Sequence, residues 1–193
     1  MLVRNKMRNP SRTSSTYIAL LRGINVGGHK IIKMDQLRKA LEGMGFADVA
    51  TYVQSGNVVF KTSVKMAQGL SKKIEDMLLR EFSMSVPVIV RTSEEIAAVL
   101  KNNPFLKESG IETSRLHVTF LSHAPGKMAV KGLDSIAAGA DRFLCCGQEI
   151  YLYCPNGLGR TKLSINLFEK MLSVGATTRN WNTVNELYKM ARD

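Results

Sequence analysis

Residues 16–28 read Thr-Tyr-Ile-Ala-Leu-Leu-Arg-Gly-Ile-Asn-Val-Gly-Gly, and residues 51–60 read Thr-Tyr-Val-Gln-Ser-Gly-Asn-Val-Val-Phe. The first stretch opens on a continuous apolar run, Tyr17 to Leu21, which suits a strand buried on both faces in the middle of a sheet. Arg22 ends the run. Gly23, Gly27 and Gly28 then make a loop that can turn sharply and expose main-chain N–H groups. Behind it Met34, Leu37, Leu41 and Met44 recur at helical spacing, with Asp35 in the first turn and Gly45 as a left-handed C-cap. The second stretch reads as two strands joined at Gln54-Ser55-Gly56-Asn57, where Gly56 and Asn57 supply the positive φ of a tight hairpin.

Outward from these stretches, Val64, Leu70, Ile74, Met77, Leu78 and Phe82 mark a long amphipathic helix, and Val86 to Val90 a strand. The order from Tyr17 to Arg91 is therefore β-α-β-β-α-β, the ferredoxin-like motif. Ser93, followed by Glu94 and Glu95, caps a short helix to about Leu100, which Asn102-Asn103-Pro104 breaks. A second module begins with the alternating Leu116, Val118 and Phe120. A helix through Val130, Leu133, Ile136 and Ala137 follows, then a hairpin of Arg142–Cys146 and Glu149–Tyr153 about Gly147-Gln148, then a helix from Leu163 to Leu172. Its order is β-α-β-β-α. The expected fold is α+β, with two side-by-side subdomains: 16–92 ferredoxin-like and 116–193 a related partial βαββα module, with a helix and linker at 93–115. A cleft between them is the default ligand site.

The chain has 193 residues, 45% of them hydrophobic and 22% charged, ordinary values for a folded protein of one large domain or two small ones. Residues 1–15 hold Arg4, Lys6, Arg8 and Arg12 and no acid, the composition of a disordered basic tail. They lack the apolar centre of a signal peptide. No later segment approaches the ~18 apolar residues of a membrane helix, so a cytoplasmic location is expected. Cys145, Cys146 and Cys154 form no disulfide frame, and with His29, His117 and His123 they form no metal-ligand spacing, so neither a metal nor another cofactor is expected. The net charge of +11, or +7 with the basic tail set aside, favours an anionic partner, either a small phosphate-bearing molecule or nucleic acid.

Candidate ligand-binding residues follow from charge and position. In the glycine loop they are Arg22, Asn25, Gly27, Gly28 and Lys30, placed where a phosphate could sit before a helix, although neither G-x-G-x-x-G nor G-x-x-x-x-G-K-[ST] can be read there. The alternative is that the glycines only turn the chain and Arg22 ends the sheet. In the hairpin the candidates are Gln54, Ser55 and Asn57, whose amides and hydroxyl either meet a ligand or satisfy the turn. Near the C-terminus, Asn156-Gly157-Leu158-Gly159-Arg160-Thr161-Lys162-Leu163 places Arg160 and Lys162 just before a helix. Thr177-Thr178-Arg179-Asn180-Trp181-Asn182-Thr183-Val184 places Arg179 and Asn180 before the last helix, which Thr183 and Glu186 cap as a box and Val184, Leu187, Tyr188 and Ala191 face inward. Trp181 reads either as an anchor for that helix or as part of the ligand site.

These four stretches together resemble the hallmarks of the bacterial family catalogued as domain of unknown function 1697. The likeness spans nearly the whole folded chain. It brings no established substrate, and it implies no catalytic role for His29, which lies in a loop where the family is expected to vary. Two functions therefore compete. One is a module binding an anionic ligand or nucleic acid. The other is an enzyme on a small phosphorylated or nucleotide-like substrate, with Arg22, Asn25, Arg160, Lys162 and Arg179 as charge clamps. The aromatic-rich strand of RNA-recognition domains is missing from 54–61, and no catalytic triad or carboxylate pair stands out. Both readings have the glycine loop and the C-terminal stretches converging on one cleft.

Overall fold

The structure is a computed structural model that describes residues 14–64 and 67–192. Strand β1 (Ser15–Leu21) is followed by α1 (Met34–Gly43), β2 (Ala47–Tyr52), β3 (Asn57–Thr62), α2 (Ala67–Phe82), β4 (Val88–Thr92) and α3 (Ser93–Lys101). After two short 3₁₀ turns, at Pro104–Lys107 and Thr113–Arg115, the same order returns. It comprises β5 (Leu116–Leu121), α4 (Lys127–Gly132), β6 (Arg142–Cys146), β7 (Glu149–Tyr153), α5 (Ile165–Leu172), β8 (Ala176–Asn180) and α6 (Trp181–Arg192). Each module makes a four-stranded antiparallel sheet, ordered β2-β3-β1-β4 and β6-β7-β5-β8.

The registers of the two sheets coincide. Ile18 at the centre of β1 lies opposite Val59 and Arg91, and Val118 at the centre of β5 lies opposite Tyr151 and Arg179. Each module is thus a complete βαββαβ unit followed by one further helix, and a pseudo-two-fold relates them. The partial second module expected from sequence is corrected here. Its missing strand is β8, in which Thr177, Thr178, Arg179 and Asn180 pair with β5. That stretch is too polar to read as a strand, and its pairing rests on a neighbour some sixty positions away.

Alternation along the strands divides the apolar residues into three layers. Tyr17, Ala19, Leu21, Val58 and Phe60 face outward under α1 and α2, whose Leu37, Leu41, Leu70, Ile74 and Leu78 recur at helical spacing. Ile18, Leu20 and Val59 face inward toward Leu116, Val118, Phe120 and Tyr151 of the other sheet, with α3 and α6 between them. Leu121, Ile150 and Leu152 face the far side, under α4 and α5. Helix α3, read from sequence with the linker, belongs to the central layer through Ile96 and Val99.

Several boundaries move for local reasons. Ser15, assigned above to the tail, is already in β1, and the rest of that tail before Ser14 lies outside the described residues. Thr92 rather than Ser93 caps α3, its hydroxyl accepting from Glu95 N while Glu95 accepts from Thr92 N. Helix α4 ends at Gly132, and Leu133–Ser135 continue as a 3₁₀ turn. Among the described residues no helix is long and apolar enough to cross a membrane.

Candidate functional site

Arg179 and Arg91 occupy matching places, one on each side of the central layer. Arg179 is 8% exposed and reaches across from β8 to the end of β1. Its Nε donates to Asn57 Oδ1, Nη1 to Thr177 Oγ1 (2.8 Å) and Thr178 O (2.9 Å), and Nη2 to Leu21 O (2.7 Å) and Ser55 O (3.1 Å). A guanidinium has five N–H groups, and all five are spent on the protein. Burial lowers its pKa to about 10, so it stays charged at neutral pH. Gly56 permits the approach: its φ is +74°, and a Cβ there would fall 2.7 Å from Leu21 Cβ.

Arg91 makes the reciprocal reach from β4 to the end of β5. Nη2 donates to Leu121 O (2.7 Å) and Gln148 O (3.4 Å), and Nε to Glu149 Oε1 (3.2 Å). Leu121 stands to β5 as Leu21 does to β1, and Glu149 opposite Phe120 corresponds to Asn57 opposite Leu20. Burial raises the Glu149 carboxyl pKa above its ordinary value, against the pull of Arg91.

Several candidate residues are held by hydrogen bonds within the protein. Arg179 and Asn57 form a buried clamp, in which Asn57 Nδ2 also donates to Tyr52 O (3.1 Å) and to Ser55 Oγ (3.0 Å). Asn25, at φ +54°, turns inward. Its Nδ2 donates to Ile32 O (2.9 Å) and Gln54 O (2.8 Å), and its Oδ1 accepts from Ile32 N (2.8 Å), so it ties the glycine loop to the hairpin turn. Lys30 Nζ donates to Ser85 O at 2.7 Å. Gly27 and Gly28 form the exposed tip of a small closed turn in which His29 N donates to Val26 O (3.1 Å). Five residues, 29–33, lie between that tip and the first residue of α1 along the chain, with Lys33 at the N-cap. Asn180 Oδ1 accepts from Thr183 N (2.7 Å), which makes Asn180 the cap of α6 in place of the Thr183–Glu186 box. Trp181 is 7% exposed in the central core and anchors α6.

Arg22 and Arg179 do meet at one end of the molecule, since Arg179 bonds the carbonyl of Leu21. Arg22 itself crosses to α5, with Nη2 2.9 Å from Asn166 Oδ1 and 2.7 Å from Glu169 Oε2. Arg160 and Lys162 line a different pocket, of about 490 Å³, with Ala137 to Asp141 and Asn156, and none of its walls belongs to the glycine loop. The expected convergence on one cleft is thus divided between two places. Both cations are exposed and have no carboxylate partner among the described residues.

Sequence reasoning missed a second cavity, of about 410 Å³, between the modules. Lys72 and Glu75 of α2, Arg91 of β4, Glu95 of α3, Ser122 and His123 after β5, and Gln148 line it. No local pattern marks it, because five separate segments supply the walls. Cys146, on the rim nearby, has its thiol pKa pushed up by burial, as does Cys145, so neither is poised as a thiolate nucleophile.

The fold and its clamps define a class: a pseudo-symmetric pair of ferredoxin-like modules locked by reciprocal arginines. Within that class the chain belongs to the family described as "Protein of unknown function (DUF1697)", whose model matches residues 14–151. Among solved structures it is similar to the conserved bacterial protein SP0830 from Streptococcus pneumoniae, with a TM-score of 0.73 and 21% identity over 93% of this chain and 99% of that one. That likeness extends to the fold alone. No curated protein matches the chain.

Proposed function

We propose that the chain binds a small phosphate-bearing molecule in the pocket formed by the 3₁₀ turn Leu158–Arg160 and the loop 137–141. One observation carries this reading: Arg160 and Lys162, both exposed and without a carboxylate partner among the described residues, line a single cavity of about 490 Å³. A cavity of that size suits a small metabolite. The planar guanidinium and the point-charge ammonium together suit a phosphate. Asp141 and Asn156 in the same wall add acceptors for hydroxyl groups, which favours a phosphorylated sugar or nucleotide over bare phosphate. The pocket lies within the second module rather than between the modules.

The chain's net charge of +11 favours nucleic acid as a second reading of the same basic surface. Calorimetric titration with phosphosugars, nucleotides and a short RNA at two salt concentrations separates the two. Saturable binding of a small phosphate compound that persists in salt, and that weakens at least about tenfold in Arg160→Ala/Lys162→Ala, is the expected result. Binding of RNA alone, collapsing as salt rises, would assign the surface to nucleic acid. Phosphorus NMR of the bound compound distinguishes a binder from an enzyme through the appearance of product. Binding unchanged by the double substitution would overturn the assignment.

A further inference from the structure

The pseudo-two-fold is broken not only at Asn57 and Glu149 but also at Arg22 and Ser122, beside the cavity between the modules. Arg22 and Ser122 each follow the last residue of a central strand, and their main-chain N–H groups make matching bonds, Arg22 N to Pro87 O (2.9 Å) and Ser122 N to Gly175 O (2.8 Å). The acids that face them also match. Glu169 Oε1 accepts from Ala176 N at 2.9 Å, and Glu75 Oε1 accepts from Val88 N at 2.9 Å. Ala176 pairs with Leu121 as Val88 pairs with Leu21. On one side the other oxygen of Glu169 holds the Arg22 guanidinium. On the other, Ser122 is too short to reach Glu75, and about 410 Å³ is left open.

We infer that this cavity binds the guanidinium group of a small molecule, seated against Glu75 as Arg22 is seated against Glu169. The charges around it agree. The cations in its walls are committed elsewhere: Arg91 to Glu149, Leu121 O and Gln148 O, and Lys72 to Asp76 at 2.8 Å. His123 Nδ1 lies 3.0 Å from Ser122 Oγ. The carboxylates are only half committed. Glu75 gives one oxygen to Val88 N and Glu95 gives Oε2 to Thr92 N, which leaves a second oxygen on each with no partner among the described residues. Two carboxylate oxygens and a planar, five-donor cation are complementary in number and charge. The small size of the cavity favours a free guanidinium compound over a folded partner.

The test uses the full chain with L-arginine as probe, L-citrulline as its neutral isostere, and a blocked tripeptide with arginine at its centre. Ser122→Arg supplies the missing side chain and fills the cavity with the geometry already present at Arg22. Glu75→Gln keeps the acceptor for Val88 N and removes the charge. The expected result is saturable binding of L-arginine to the wild type, at least about tenfold weaker for citrulline and for Glu75→Gln, and abolished in Ser122→Arg. Thermal unfolding of Ser122→Arg should be no lower than that of the wild type, which separates occupation of the cavity from loss of fold. Failure of L-arginine to bind, or equal binding by Ser122→Arg, would overturn the inference. Binding of the tripeptide without binding of free L-arginine would overturn it too, because the source would then be a partner's side chain.

Discussion

The two clamps occupy equivalent positions and solve the same problem with different chemistry. Each puts an arginine on the edge strand of one module and ties it to the end of the central strand and the hairpin turn of the other. The Arg179 clamp is neutral on its acceptor side, built from Asn57, two threonines and carbonyls. The Arg91 clamp holds a carboxylate, Glu149. The amide suits the first because Asn57 must also donate, to Tyr52 O and Ser55 Oγ, which a carboxylate cannot do. The difference shows that the pseudo-symmetry resides in backbone register, while each half satisfies its buried charge with whatever its own turn requires.

Arg179→Met should have the largest effect. It leaves Asn57 Oδ1 and several buried carbonyls without a donor, a loss of about 4 kcal/mol in unfolding free energy by urea titration. In a chain of this length that lowers the midpoint of thermal unfolding by roughly 10 °C. A loss as small as that of an exposed pair would show that the clamp is not a determinant of how the modules join.

Arg91→Met comes next, at about 3 kcal/mol near neutral pH, and its cost should depend on pH where that of Arg179→Met does not. Burial raises the Glu149 carboxyl pKa above its ordinary value of 4.5 in the folded chain. The fold therefore holds that proton more tightly than the unfolded chain does. This contribution is complete below about 4.5 and is lost as pH rises through the raised value. Removing the Arg91 charge raises that value further, so the stability gap between variant and wild type should widen from about pH 4 to pH 7. A flat gap would mean that Arg91 acts through its carbonyl bonds alone. Arg22→Ala should have the smallest effect, under about 1 kcal/mol, because its ion pair with Glu169 is partly exposed, at 29% and 21%. In the same variant the space beside Glu169 opens, and it should gain an affinity for L-arginine if the cavity at Glu75 has one.

Much of the first module was legible because its signals are local. Tyr17–Leu21, the hairpin about Gly56 and the spacing of Leu70, Ile74, Met77 and Leu78 each carry their own periodicity or turn chemistry. Strand β8 was not legible, since Ala-Thr-Thr-Arg-Asn has neither an apolar run nor alternation. The roles of Arg22, Asn25, Asn57 and Arg179 were legible only as polarity near turns. Whether such a group faces a ligand or a main-chain carbonyl depends on a partner elsewhere in the chain, 122 residues away for Arg179 and Asn57.

The sequence by itself determined the element order of the first module, the family, and which residues carry charge near the ends of strands, because these depend on neighbours within a few positions. Only the tertiary structure decided that Arg179 is a buried clamp, that Arg160 and Lys162 line a separate pocket, and that Ser122 leaves open the space that Arg22 fills. Those outcomes are set by how two sheets of equal register face each other, and the desolvation and pairing of a charge are fixed only once the opposing surface is in place.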